Sequence, residues 1–285
     1  MSDSVLLFTG SSADITTGGL AKALRDIGAT ECDVLFIHSG MDLGLPYRGI
    51  RRKDLLAEML HVLEDLHVGT LIFPTFTFSF CNNEPFDVQH SRTPMGALNE
   101  YARTHGTGVR SRDPLLSVFV MGDPFNLVDK PGRESIGRDS AYDRLHRCGK
   151  SAKFLFLGTD MRQCFTYTHY VEAIIGVPYR YNRTFTGTII DNGAENVGQE
   201  AVLYTCYANC RLNPIPVVHN AMRAAGQLHT APLGDTELCC FAEKDAWETL
   251  KSLLYENPLC LTDGTFDPTI HDTTYNNDTR IVSVK

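Results

Sequence analysis

Short apolar runs alternate with amphipathic stretches along the first 160 residues of the chain. Runs of almost only apolar residues are typical of strands buried on both faces of a sheet, and they occur at 33–38, 70–73, 116–121 and 153–157. Between them, residues 17–27, 53–66 and 94–104 show features of helices. Strand, helix and strand of this length predict a right-handed parallel unit. The pattern therefore predicts an α/β fold with a central, mostly parallel sheet and helices on both faces.

The pattern changes after residue 180. Residues 184–190 and 200–206 flank a polar stretch around Asn192-Gly193, which predicts an antiparallel hairpin. Helices are expected at 217–225 and 243–254, and the last thirty residues are polar. No linker rich in Gly, Ser or Pro divides the chain. We therefore expect a single domain over residues 1–285, with an α/β core (1–180) and a C-terminal α+β lobe (181–285).

Composition limits the classes of partner. The formal net charge is −8, which disfavours general binding to nucleic acid or membrane surfaces but suits a cationic small substrate. No apolar run approaches the roughly 18 residues that a membrane span needs. The N-terminus also lacks the basic region of a signal peptide. We expect a soluble, cytoplasmic protein with no nucleic-acid partner and no membrane.

The nine cysteines have irregular spacing and are expected to be reduced and mostly buried. A zinc site could be drawn from Cys206-x3-Cys210, His219, His229 and Cys239-Cys240. This spacing fits no compact finger or ribbon pattern, so no metal is expected. A Walker lysine and a G-x-G-x-x-G turn after a strand are both missing, which argues against nucleotide hydrolysis and dinucleotide binding.

The strongest candidates for chemistry are His169 and Glu172, in an apolar helical run that Gly176 and Pro178 close. Residues three apart share a helix face, about 5–6 Å apart at Cβ. A carboxylate beside an imidazole fixes its tautomer and stabilises its charged form, which makes the ring a better general base. A surface ion pair would have the same spacing, so the pair by itself leaves both interpretations open.

Further motifs occur in a fixed order along the chain. They are His38-Ser39, Pro74-Thr75-Phe76-Thr77, Phe86-Asp87, Thr93-Pro94-Met95-Gly96 with Glu100, Arg110-Ser111-x-x-Pro114-x-x-Ser117, and Thr166-x-x-His169-x-x-Glu172. In order and spacing, roughly residues 33–190 resemble the aminoglycoside 3-N-acetyltransferase family. Two positions depart from that family's pattern: Asp113 replaces its usual His, and Gly40 replaces its second Ser. The Asp113 change bears on the substrate more than on the reaction.

The resemblance implies transfer of an acetyl group from acetyl-coenzyme A to a primary amine of an amino sugar. With no plausible enzyme nucleophile, we expect direct attack in a ternary complex, with His169 as general base and Glu172 orienting it. Thr166 and Thr168 at the helix start are expected to stabilise the oxyanion or position the substrate. By resemblance, coenzyme A is expected to bind through Ser39, Thr75, Thr77, Arg110 and Ser117. The candidates for substrate binding are Asp87, Glu100, Asp160, Arg180 and Arg183.

Several alternatives stay open at this point. Ser39 and Thr75 could cap strand ends, Arg110 could pair with Asp113 or another carboxylate, and Ser117 could be a core hydroxyl. His38 is interpreted as a hydrogen-bonded structural histidine in preference to a second base. The substrate could be an aminoglycoside or a nucleotide-linked amino sugar. A non-catalytic coenzyme A-binding protein and a hydrolase using Cys164 are the rival functions, and a homodimer is expected from size and from family habit.

Overall fold

The computed structural model describes residues 4–128, 132–207, 210–212, 214–269 and 271. The helices are α1 (Thr17–Asp26), α2 (Arg52–Glu64), α3 (Ala97–His105), α4 (Ala141–Arg147), α5 (Met161–Cys164), α6 (Tyr167–Ile175), α7 (Pro214–Ala224) and α8 (Glu243–Glu256). The strands are β1 (Leu6–Thr9), β2 (Ile15–Thr16), β3 (Val34–Ser39), β4 (Leu45–Pro46), β5 (Thr70–Pro74), β6 (Phe86–Asp87), β7 (Gly108–Arg110), β8 (Val118–Gly122), β9 (Ala152–Leu157), β10 (Arg180–Asp191), β11 (Ala194–Cys206), β12 (His229–Leu233) and β13 (Thr236–Ala242). A short 3₁₀ helix covers Ser79–Asn82.

A seven-stranded sheet in the order β12-β13-β9-β3-β5-β8-β7 forms the centre of the molecule. The central strand β3 pairs in parallel with β5 and β9, as the strand–helix–strand pattern predicts. The α/β class is confirmed. The sheet as a whole is mixed, because two hairpins (β7–β8 and β12–β13) attach antiparallel at its edges.

Successive residues of the central strands face opposite sides of this sheet and enter two separate cores. Val34 and Phe36 pack with α4, α6, α7 and α8, whereas Leu35 and Ile37 pack with α1, α2 and α3. All four side chains are fully or almost fully buried. This burial on both faces explains why the strands are unbroken apolar runs, and it confirms helices on both faces.

The predicted hairpin is longer than its apolar pattern indicates. Strands β10 and β11 pair antiparallel over twelve and thirteen residues, and β6 joins β10 in parallel. A second small sheet, β2-β1-β4, was not predicted from the sequence. Strand β13 lies beside β9, so residues of the expected C-terminal lobe complete the main sheet. Half of the last thirty residues (270 and 272–285) lie outside the described part of the chain.

The carboxyl ends of β3 and β9 meet where the candidate motifs cluster. Ser39 lies opposite Leu157 in the parallel register, and the Gly40 N–H donates to the Leu157 carbonyl over 2.9 Å. A Cβ on Gly40 would lie 2.2 Å from the Gly158 carbonyl oxygen. Glycine at position 40, where the family's pattern has serine, therefore matches a close backbone approach. Helices α5 and α6 follow β9 directly from this edge.

Candidate active site

Helix α6 brings His169 and Glu172 together, as their spacing predicts. His169 Nδ1 lies 2.7 Å from Glu172 Oε2. The His169 side chain is 35% exposed, whereas the Glu172 side chain is fully buried. A surface ion pair is therefore ruled out for Glu172. Gly176, with φ of +80°, ends the helix as expected.

The Glu172 carboxylate is a buried charge with three partners. Tyr179 donates its hydroxyl to Oε1 over 2.5 Å, and Arg180 Nε forms an ion pair with Oε2 at 2.9 Å. Burial by itself would raise the pKa of this carboxyl. The Arg180 charge and the bonds from His169 and Tyr179 outweigh it and lower the pKa to about 2. Glu172 is therefore ionised at neutral pH.

The imidazole of His169 is neutral at the same pH. Withdrawal from solvent, followed by the charge of Arg180, lowers its pKa below the ordinary 6.5, although Glu172 opposes the shift. Arg180 Nη2 also lies 2.8 Å from Nδ1. One nitrogen cannot donate to Glu172 and accept from Arg180 at once. Because lone pairs of Nδ1 and an ionised carboxylate would repel at 2.7 Å, we assign the proton to Nδ1. That tautomer leaves Nε2 able to accept a proton.

Arg180 and Tyr179 complete the site from the segment that follows α6. The Arg180 side chain is only 5% exposed, and its Nη1 donates to the Tyr204 carbonyl over 3.0 Å. The structure thus places this predicted substrate-binding residue in the hydrogen-bond network of His169 and Glu172. Tyr179 was not identified from the sequence. Its position in Val177-Pro178-Tyr179-Arg180, directly after the motif, was the only available signal.

At the start of α6, three backbone N–H groups already donate hydrogen bonds within the protein. The N–H groups of Thr166, Thr168 and His169 donate to carbonyls of Cys164, Phe165 and Thr166 over 2.9, 3.2 and 2.9 Å. Thr168 is 2% exposed, whereas Thr166 is only partly buried. The Thr166 side chain makes no capping bond to the helix. Of the two predicted threonines, Thr166 is therefore the more accessible to a ligand.

Three of the predicted coenzyme A contacts lie together in the interior. Arg110, Thr75 and Ser117 are buried, and the Arg110 Nη2 donates to the Thr75 carbonyl over 2.6 Å. The Ser117 hydroxyl donates to the same carbonyl over 2.6 Å. Arg110 Nη1 donates to the Ser91 carbonyl over 2.6 Å. Arg110 therefore binds backbone carbonyls, not the carboxylate of Asp113, and this network joins three segments of chain.

The other two predicted contacts lie near the ends of their strands. The Ser39 hydroxyl donates to Asn99 Oδ1 over 2.6 Å, and the Thr77 hydroxyl donates to the Pro114 carbonyl over 3.0 Å. Both residues keep part of their surface exposed. Gly96, with φ of +113°, approaches so closely that a Cβ there would lie 2.7 Å from the Ser39 carbonyl oxygen. The start of α3 is thereby held against the end of β3.

Asp113, which departs from the family's pattern, is a buried carboxylate. Its Oδ1 accepts the N–H groups of Leu115 and Leu116 over 2.8 and 3.0 Å and the Ser135 hydroxyl over 2.9 Å. Burial raises its pKa, against the effect of these bonds. A carboxylate accepts all three donors, whereas an imidazole nitrogen could accept only one. Asp113 therefore ties the 113–116 turn to the segment at Ser135.

The predicted substrate-side acids are engaged within the protein. Asp87 accepts the N–H groups of Gln89 and His90 over 2.9 and 2.8 Å. Glu100 pairs with Arg103 at 2.7 Å, and Asp160 pairs with Arg162. These bonds lower the pKa of each carboxyl against the opposing effect of burial. The guanidinium of Arg183, the remaining candidate, lies 4.8 Å from the Phe185 ring centre.

A cavity of about 600 Å³ opens between α2 and α3. Its lining includes the cationic side chains Arg52, Lys53 and Arg92. The rings of Tyr101 and His105, which also line it, stack 4.2 Å apart at 5°. Gly96 and Glu100 border the cavity as well, so it adjoins Ser39 at the end of β3. Sequence reasoning identified Glu100 here but missed the three cations.

His38 and Cys164 are not activated for chemistry. His38 stacks on Phe156 with 4.7 Å between ring centres, and its buried Nε2 has no hydrogen-bond partner among the described residues. The prediction that His38 is hydrogen-bonded is thus wrong for its Nε2 atom. Burial lowers the pKa of His38 to about 3. Burial raises the pKa of the Cys164 thiol to about 11, which disfavours a thiolate nucleophile. Within the described ranges, no group of His, Cys, Asp or Glu could hold a metal ion.

Comparison with known proteins places this chain in a family. A profile described as aminoglycoside 3-N-acetyltransferase matches residues 47–255, so the chain belongs to this family. The family expected from the motifs is thus confirmed, and with it an enzyme that transfers acetyl groups to nitrogen. No curated protein matches the chain in sequence.

Solved structures show the same fold. Aminoglycoside acetyltransferase AAC(3)-IIb superposes with a TM-score of 0.71 at 19% identity, covering 85% of this chain and 97% of that chain. YokD protein from Bacillus subtilis gives 0.69 at 16% identity, covering 89% and 96%. AAC-IIIb, solved as a binary complex with CoASH, gives 0.68 at 18% identity, covering 85% and 97%. None of the helices in the described ranges is long and apolar enough to span a membrane.

Proposed function

We propose that this protein acetylates a primary amine of an amino sugar, with acetyl-coenzyme A as the co-substrate. The observation that carries the proposal is the geometry of His169, whose Nδ1 is held by a buried, ionised carboxylate and whose ring is 35% exposed. A general base needs this combination of fixed tautomer, neutral ring and access to the substrate. A non-catalytic coenzyme A-binding protein would have no use for it.

The proposed reaction is a direct transfer in a ternary complex. The amine nitrogen attacks the thioester carbonyl carbon while His169 Nε2 takes up the amine proton. The tetrahedral oxyanion then collapses, the carbon–sulfur bond breaks, and the imidazolium returns its proton to the thiolate of coenzyme A. Glu172 stays ionised and stabilises the imidazolium. General base help of this kind contributes about 10²–10⁴-fold in rate.

The Thr166 hydroxyl is our candidate donor to the oxyanion. It is partly exposed at the positive end of the α6 dipole, one turn from His169. Buried Thr168 lies beside it and is assigned to positioning. Their occupied N–H groups leave the hydroxyl and the helix dipole as the available contributions.

We place the nucleotide end of coenzyme A in the cavity between α2 and α3. Arg52, Lys53 and Arg92 supply positive charge for its phosphates, and the stacked Tyr101 and His105 offer a flat face to adenine. The end of β3 adjoins this cavity, and α6 starts from the neighbouring β9, so pantetheine can run between them. Ser39 and Thr77 remain direct-contact candidates. Thr75, Arg110 and Ser117 are assigned to holding these segments in place.

The acceptor is a nucleotide-linked amino sugar or an aminoglycoside. Asp87, Glu100 and Asp160 are each engaged, so an acceptor ammonium would have to share them with their present partners. Arg183, whose guanidinium lies 4.8 Å from the Phe185 ring centre, is the candidate for an acceptor phosphate. A homodimer and a single domain remain predictions.

The test is a thiol-release assay with acetyl-coenzyme A and a panel of aminoglycosides and nucleotide-linked amino sugars. We expect turnover with one class, a loss of about 10²–10⁴-fold in His169→Ala, and a smaller loss in Glu172→Gln. His61→Ala, on the exposed face of α2, is the matched control and should keep full activity. Unchanged turnover in His169→Ala would contradict the mechanism. Loss of turnover on thiol alkylation, with coenzyme binding intact, would favour the Cys164 hydrolase.

A further inference from the structure

A C-terminal segment (residues 257–269) follows α8 and lies beyond the part of the chain that the family profile matches. It is a packed part of the fold. The Asp263 N–H donates to the Arg211 carbonyl over 3.1 Å, and Thr262 forms an antiparallel bridge with Leu212. Leu261 is fully buried. The segment is therefore fixed against the chain that follows β11.

Phe266 brings this segment to the ring of Tyr179. The two ring centres lie 6.5 Å apart with an interplanar angle of 69°, an edge-to-face contact. Phe266 also lies nearly parallel to Tyr207, at 6.2 Å and 14°. The Tyr207 N–H donates to the Tyr179 carbonyl over 3.2 Å. Tyr179 is thus held at its ring by Phe266 and at its backbone by Tyr207.

Tyr179 in turn holds one oxygen of the Glu172 carboxylate. Its hydroxyl donates to Oε1 over 2.5 Å, while Oε2 faces His169 and Arg180. A carboxylate that loses its donor on Oε1 can rotate about its last torsion, which carries Oε2 away from the imidazole. We propose that the C-terminal segment positions the catalytic carboxylate of Glu172, with Phe266 acting on Tyr179 and Tyr179 acting on Oε1.

The expected effect of this positioning on turnover rests on the proposed function, whereas its expected effect on the pKa of His169 does not. Ionisable groups from several elements face the pair, and their contributions must stay constant between variants. They are Tyr179 just before β10, Arg180 at its start, Tyr204 and Cys206 on β11, Cys210 after β11, and Cys260 in the C-terminal segment. Tyr179→Phe, Phe266→Ala and Phe266→Leu remove no charged side chain from this group.

A double-mutant cycle on turnover tests the chain of contacts. We expect kcat to fall about tenfold in Tyr179→Phe, which removes one bond to a charged group, and several-fold in Phe266→Ala. In the Tyr179→Phe background, Phe266→Ala should cause no further loss, and KM for acetyl-coenzyme A should stay unchanged throughout. Phe266→Leu, which keeps most of the side-chain volume, should restore most of kcat. Tyr255→Ala, at a 69% exposed ring on α8, is the matched control. Additive losses would overturn the inference.

A titration of the His169 imidazole by nitrogen-15 NMR decides the same point without any substrate. The His169 signals are assigned by their loss in His169→Asn. The bond and charge of Glu172 raise the His169 pKa, so a carboxylate that turns away from the imidazole should lower it. We therefore expect a downward pKa shift in Tyr179→Phe, a smaller one in Phe266→Ala, and no extra shift in the double variant. No shift in either single variant would overturn the inference. If the variants show these shifts but the wild-type protein acetylates no amine, the positioning role is supported and the proposed function is rejected.

Discussion

At the scale of single residues, the environment of His169 and Glu172 decides what each can do. The two side chains have almost opposite surroundings although they are one turn apart on α6. Glu172 is fully buried and keeps its charge because Arg180, His169 and Tyr179 compensate the burial. His169 is partly exposed and is kept neutral by desolvation and by Arg180. One group is thus a fixed charge, and the other is a neutral imidazole with part of its surface exposed.

The same charges predict the pH dependence of turnover. The base is active when neutral, and its pKa lies below the ordinary 6.5, so the acid limb of kcat should also lie below pH 6.5. Activity is lost as the pH falls through this pKa. Arg180→Gln removes the nearby positive charge and should move the limb to higher pH, whereas Arg180→Lys should move it less. A pH–rate profile of the three proteins measures this. An unchanged limb in Arg180→Gln would contradict the role assigned to Arg180.

At the scale of elements, the site depends on how the ends of β3, β9 and α3 meet. Gly40 and Gly96 allow backbones to approach where a side chain would collide with a carbonyl oxygen. The interior network of Thr75, Arg110 and Ser117 joins β5, β7 and β8 behind this edge. These contacts fix the backbone at Arg110 and at the ends of β5 and β8. Thr75, Arg110 and Ser117 would therefore affect function indirectly, by holding the backbone of these segments in place.

Gly40→Ser tests this close approach directly. The new Cβ would meet the Gly158 carbonyl at 2.2 Å, so we expect a loss of about 1–3 kcal/mol in the free energy of unfolding. Denaturant unfolding followed by circular dichroism gives the value. Gly69→Ser is the matched control, because a Cβ there would lie 3.4 Å from its nearest neighbour, the Asp33 carbonyl oxygen. Equal losses in the two variants would argue against a special constraint at position 40.

At the scale of the whole molecule, positive charge is concentrated where the coenzyme is proposed to bind, although the chain carries a net charge of −8. Replacing Arg52 and Lys53 together by Ala should raise KM for acetyl-coenzyme A about tenfold at low salt and less at high salt, with kcat unchanged. Steady-state kinetics at two ionic strengths measures both effects. Arg48→Ala, outside the cavity lining, is the matched control. An unchanged KM would show that the nucleotide end of the coenzyme binds elsewhere.

The order of the chain also matters at this scale. Strand β13 pairs with β9, which is the strand that precedes α5 and α6, and α8 packs against β13 and β9. The C-terminal part therefore packs against the strand that precedes the candidate site, although it is remote in sequence. The hairpin β12–β13 turns at Gly234-Asp235, and Gly234 has φ of +59°. A two-residue loop that begins with glycine is a sequence signal for a hairpin, and this one was not predicted.

The sequence by itself determined the α/β class, the family and the pairing of His169 with Glu172. The class and the pairing follow from local periodicity and spacing: unbroken apolar runs require burial on both faces, and residues three apart on a helix must share a face. The family follows from the resemblance of motifs that occur in a fixed order. Tertiary structure alone decided that Arg180 and Tyr179 join the pair, that Arg110 is internal, and that the sheet is mixed. Burial and hydrogen-bond partners depend on which distant segments pack together. Spacing along the chain does not encode that.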